Sequence, residues 1–120
     1  MKRMGFDICK AFEMESAKDA YEHIRMNMGI IKRYGSSAYG HCLYTWDAGA
    51  RMLAKCNKCD CYILIQDSEY HAMDDSYYYD YFPISGEEEA EELNKKYDGF
   101  QIEREFPKSY LKVTDGVPSW

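Results

Sequence analysis

Two cysteines spaced Cys56-Asn57-Lys58-Cys59 stand between two segments that read as strands, 51–56 and 61–66. No other feature limits the fold as much. Thiolates at this spacing on a tight turn converge on one ion, while turn amides point at the sulfurs. Such a turn brings its flanking strands together as a hairpin and needs further ligands from elsewhere in the chain. A staple matters at this length. The 120 residues support one modest core, near the size at which a metal helps. With no repeat, low-complexity linker or composition break, residues 1–120 read as a single domain.

Strand parity narrows the search for the remaining ligands. In 51–56, Arg51 and Lys55 share a face and read as exposed, so Met52, Ala54 and Cys56 face inward. Segment 41–46 reads as the preceding strand, joined through Asp47-Ala48-Gly49-Ala50, with Cys42, Tyr44 and Trp46 as its core-like set. That hairpin sets Cys42 opposite or diagonal to Cys56, and a loop one residue different sets His41 there instead. The expected zinc ligands are therefore Cys42, Cys56, Cys59 and Cys9, with Cys61 or His41 as alternatives for the fourth. Cys9 reaches the site if the first strand joins the sheet. The Cys61 side chain is expected to turn away, and His71 lies roughly 30 Å up an extended strand. Four protein ligands make a zinc site closed and structural. Buried, inert thiols are the plainer reading of five cysteines. A redox Cys-x-x-Cys opens a helix, whereas here a strand follows. A zinc deaminase is disfavoured by Lys55 before the first cysteine and by the lack of His-x-Glu.

Periodicity supplies the other elements. Ser16 offers an N-cap, and Ala17, Ala20, Tyr21, Ile24, Met28 and Ile31 form one stripe of a helix over about 16–34. His23 falls off that stripe and reads as solvated. Ser85 and Glu88 form a capping box for a second helix over about 86–97. Residues 5–12, 100–104 and 109–113 read as strands, the first with Phe6, Ile8 and Phe12 on one parity. The fold class that follows is α+β: a mostly antiparallel sheet of four to six short strands with two helices, stapled by a zinc knuckle.

Charge is uneven. The net charge is −6, which disfavours a general nucleic-acid binder. Residues 66–99 hold eleven acids against Lys95 and Lys96. Glu87–Glu92 suits the first turns of a helix, where acids meet the positive end of the dipole. The run Asp74, Asp75, Tyr77, Tyr78, Tyr79, Asp80, Tyr81 is harder to bury, because consecutive strand side chains alternate. It reads as a partner-binding surface or as an edge strand. A tyrosine-rich edge would serve equally to close a homodimer. No nucleophile–base set and no glycine-rich phosphate loop is legible, so no enzymatic activity is expected. The start of the chain lacks an apolar signal region and no run approaches the roughly 18–20 apolar residues of a membrane span, so a cytoplasmic protein is expected.

Two resemblances follow from these residues. The Cys56-x2-Cys59 turn with its flanking strands resembles a zinc-ribbon knuckle over about 51–66, without the second Cys-x2-Cys of a full ribbon. The knuckle together with the run Asp74–Phe82 is similar in class to phage-encoded anti-CRISPR inhibitors, which are commonly short, acidic and non-enzymatic. That resemblance implies stoichiometric binding to a basic partner, a CRISPR effector nuclease, in the host cytoplasm, blocking guide or target loading without contacting nucleic acid. A zinc-ribbon-like adaptor in transcription or replication is the alternative, with Arg51, Lys55 and Lys58 as its basic cluster. A thiol redox protein is the second alternative.

Overall fold

The computed structural model describes residues 2–3, 6–36, 48–70, 76–97, 101–106 and 109–120. A two-residue pair, β1 (Lys2–Arg3) with β2 (Phe6–Asp7), precedes a 3-10 turn at Lys10–Glu13. Then come α1 (Ala17–Asn27), β3 (Met28–Ser36), β4 (Ala48–Cys56), β5 (Cys61–Tyr70) and β6 (Ser76–Ile84). The chain finishes with α2 (Glu87–Lys96), α3 (Gln101–Glu105), β7 (Leu111–Thr114) and β8 (Val117–Ser119). Strands β3 to β8 form one six-stranded antiparallel sheet in sequence order. The fold is α+β, as expected.

Both faces of this sheet are covered. One buries Met52, Ala54, Cys56, Cys61, Ile63, Ile65 and Tyr81 beneath α1 and the 3-10 turn. The other buries Leu53, Leu64, Phe82 and Ile84 beneath α2 and α3, which contribute Ala90, Leu93, Ile102 and nearby Phe106. Burial on two sides explains why Ile63, Leu64 and Ile65 run consecutively without polar alternation.

Several expected elements differ. The first helix ends at Asn27 rather than near 34, and Met28 is already extended. The Asn27 side-chain amide donates to the His23 carbonyl at 2.8 Å, competing with the next helical bond. Beyond it, Gly29 and the β-branched pair Ile30-Ile31 suit a strand, and β3 pairs along β4 from Met28↔Cys56 to Ser36↔Ala50. Met28 and Ile31 fit a helical period by coincidence. Residues 48–50 belong to β4 instead of a hairpin loop, and segment 41–46 lies outside the described residues. Residues 5–12 split into β2 and the 3-10 turn. Segment 101–105 is helical: Ile102 and Phe106 share strand parity but also sit four apart, and the Phe106 amide donates to the Ile102 carbonyl.

Strand β6 is interior, bonded to β5 and β7, so the tyrosine run is not an edge. Its alternation exposes Tyr77 and Tyr79, half-buries Tyr78 and buries Asp80 and Tyr81 completely or nearly so. Asp80 and Tyr81 therefore cannot form part of a partner-binding surface on the folded chain. Asp74 and Asp75 lie outside the described residues. Arg51, expected on the surface, is 2% exposed. It donates to Gln66 Oε1 at 2.6 Å and to the Tyr97 carbonyl and Asn94 beside the end of α2. The second helix starts as expected, although Glu89, not Glu88, closes back on Ser85, accepting from its amide at 2.7 Å and its hydroxyl at 3.0 Å.

Candidate metal centre

Four side chains from separate elements meet at one end of the sheet. The turn between β4 and β5 supplies Cys56 and Cys59. Its geometry follows from the sequence: the Asp60 amide donates to the Cys56 carbonyl at 2.7 Å, and Asp60 takes φ 63°, a conformation that Asp tolerates better than most residues. Lys55 holds Asp60 in place through an ion pair at 2.8 Å. The 3-10 turn supplies Cys9 from its N-terminal boundary, with the Phe12 amide donating to the Cys9 carbonyl. Helix α1 supplies His23. The Asn57 amide donates to the Asn27 carbonyl at 2.7 Å, fastening the knuckle to the end of that helix.

The ligand atoms of Cys9, His23, Cys56 and Cys59 all lie within 4.8 Å of one another. His23 Nε2 stands 3.4 Å from Cys56 Sγ and 3.4 Å from Cys59 Sγ. Cys9 Sγ stands 3.8 Å from Cys59 Sγ. For metal–sulfur bonds of about 2.3 Å, the sulfur–sulfur edge of a tetrahedron is about 3.8 Å, and the sulfur–nitrogen edge about 3.5 Å. These three separations match those edges. The Lys10 amide donates to Cys59 Sγ and the Cys59 amide to Cys56 Sγ, both at 3.4 Å, so backbone dipoles already face the sulfurs. The set is a Cys3His cluster that can hold a metal ion.

Electrostatics agree with that use. Burial pushes the Cys9 thiol well above its ordinary value, an Ala11 backbone hydrogen bond opposes this, and the facing Cys56 and Cys59 add to it. His23 is held below the usual imidazole range by burial, then by Lys58 and Lys10. Its neutral form is the one that ligates. Comparisons with protein-family models, curated proteins and solved structures found no match. The donor geometry is thus the direct evidence for what this end of the molecule does.

Three of the expected ligands, Cys9, Cys56 and Cys59, come together. The fourth corner is His23, which the helical stripe had assigned to solvent. A signal existed: His23 sits three residues after Ala20 and beside Ile24, both fully buried, so it borders the packed side of α1. Cys42 and His41 lie outside the described residues. The pairing that recommended them is replaced, because Cys56 is flanked in register by Met28 on β3 and Cys61 on β5. Cys61 turns away as expected: its thiol donates to the Cys59 carbonyl at 3.3 Å. The expected partner surface divides. Tyr77 and Tyr79 are exposed on the α1 side of β6, while the glutamates of α2 stand on the opposite side of the sheet.

Proposed function

We propose that this chain is a zinc-stapled, non-enzymatic interaction protein that inhibits a basic, nucleic-acid-binding partner, in the manner of anti-CRISPR proteins acting on an effector nuclease in the host cytoplasm. The observation that carries it is the outer surface of α2. Five of its first six residues are glutamates, and it buries only Ala90 and Leu93. Glu87 and Glu91 meet Lys32 at 3.2 and 2.8 Å, while Glu88 and Glu92 are exposed beside them. A ridge of this kind presents carboxylates to arginine and lysine side chains that otherwise grip phosphates. Zinc fits the donor set best, because three thiolates and an imidazole at tetrahedral spacing suit a borderline-soft ion. With every corner filled by protein, such an ion has no open position for substrate and acts as a staple.

The test is titration of the purified chain into a guide-loaded CRISPR effector nuclease, reading target cleavage. Inhibition should saturate near one chain per effector, weaken as salt is raised, and be lost in a Glu88→Lys/Glu92→Lys variant that keeps its metal. Cleavage unaffected at all ratios, together with direct binding of the chain to duplex DNA, would favour the adaptor reading instead.

A further inference from the structure

A row of polar residues crosses the otherwise apolar face under α2 and α3. Arg51, Gln66, Asp80 and Lys112 are successive register partners on β4, β5, β6 and β7. Arg51 and Gln66 satisfy one another. Asp80 does not share in this. It is 0% exposed, and neither of its carboxylate oxygens has a hydrogen-bond donor. The same holds for Oε2 of Glu103 on α3, where Lys112 Nζ stands 3.6 Å away in a loose ion pair. Lys112 is both the register partner of Asp80 and the ion-pair partner of Glu103, which brings the two carboxyl groups to one place on the sheet, yet two carboxylates are both acceptors and have nothing to donate. A buried pair of this kind is satisfied only when one member carries a proton.

We propose that Asp80 and Glu103 share one proton, and that this proton is the latch holding α3 on the sheet. α3 is one short helix, anchored among the described residues by Ile102 and, just beyond it, by Phe106, whose ring lies 4.8 Å from Phe82 and 6.3 Å from Tyr110. The groups facing the pair are Lys112 and Tyr110 from the β7 side, Glu103 from α3, and Gln66 from β5, with Arg51 beyond Gln66. Lys112 favours ionisation of Asp80. Burial and the Glu103 carboxyl oppose it more strongly and raise Asp80 to about 9. The folded pKa lies above the unfolded one, so the latch is fully closed in acid and weakens as pH rises towards that value. Loss of the proton leaves two buried negative charges side by side, and α3 lifts to let water reach them.

Hydrogen exchange of the metal-loaded chain tests this. After correction for intrinsic rates, protection of residues 101–106 should fall about tenfold per pH unit between about pH 5 and 9. Protection of β4 and β5 should change less. Asp80→Asn supplies a permanent donor to Glu103 and should flatten the dependence. Glu103→Gln should do the same from the other side, which guards against one variant failing to fold. In the infrared, a protonated carboxyl C=O band should be present at neutral pH and vanish in Asp80→Asn. Protection at 101–106 that ignores pH, an unchanged slope in both variants, or no such band would overturn the latch.

Discussion

The four cysteines among the described residues are distinguished by what their sulfurs face. Cys9, Cys56 and Cys59 face His23, whereas Cys61 faces a carbonyl. His23→Ala and Cys9→Ser should each weaken zinc retention at least about 100-fold in a chelator competition, beyond the 10–100-fold typical of an outer-shell partner. Cys61→Ser and Cys42→Ser should leave it within a few-fold. A Cys42→Ser loss equal to that of Cys9→Ser would displace His23 from the ligand set. Arg51 shows how a charged residue is misread from strand parity. Alternation marks it as outward-facing, which means solvent only if that face is bare, and α2 covers it. Arg51→Ala should destabilise the fold by about 3 kcal/mol in urea titration, because Gln66 and the Tyr97 carbonyl lose a buried charged donor.

At the level of elements, local chemistry held where it was self-contained. Helix α2 begins within a residue of where its serine and acids predict, but Gly86 rather than Ser85 is its N-cap, with no side-chain cap bond, and Ser85 instead donates to Glu89 in the first turn. Glu89→Ala should cost about 1 kcal/mol of stability, read from the shift in the thermal midpoint. Ser16 caps α1 as expected, its hydroxyl accepting from the Asp19 amide at 3.2 Å. A further turn lies between the last two strands. Asp115-Gly116 joins β7 to β8 with φ 49° and 85°, the two-residue hairpin turn that needs positive φ at both positions. Gly116→Ala should destabilise by about 1 kcal/mol, and the closing strand at 109–113 anticipated only half of this hairpin. Where neighbours decide, the elements depart from their local signals. The segment 28–36 is a strand because β4 offers it a ladder, and 101–105 is a helix because Ile102 and Phe106 both reach the far side of the sheet that way.

Across the whole molecule, the Cys3His cluster joins the covering layer to the sheet. Cys9 and His23 belong to the layer over one face, and Cys56 and Cys59 to the turn that closes two strands. Structural zinc contributes roughly 10–16 kcal/mol of apparent binding free energy in small domains, comparable with the roughly 5–15 kcal/mol total stability of a typical protein. Stripping the metal with a strong chelator should therefore unfold the chain or bring its thermal midpoint close to ambient temperature, by circular dichroism. In partial denaturant, residues 9–27 should lose exchange protection before β5 and β6. A chelated chain with an unchanged midpoint would show that packing alone holds this end together. Among the described residues no helix is long and apolar enough to cross a membrane.

The sequence by itself determined the α+β class, the second helix, the knuckle turn and three of the four members of the Cys3His cluster. Each of those rests on contacts within a few residues or on the parity of one strand. Tertiary structure alone decided the fourth member of the cluster, the strand at 28–36, the interior place of the tyrosine run and the burial of Arg51 and Asp80. Those depend on which surface a second layer covers, and a repeat of hydrophobic positions carries no record of whether its polar side meets water or another helix. His23 joins the cluster because α1 lies across the knuckle end of the sheet, a packing arrangement that no spacing between His23 and Cys56 encodes.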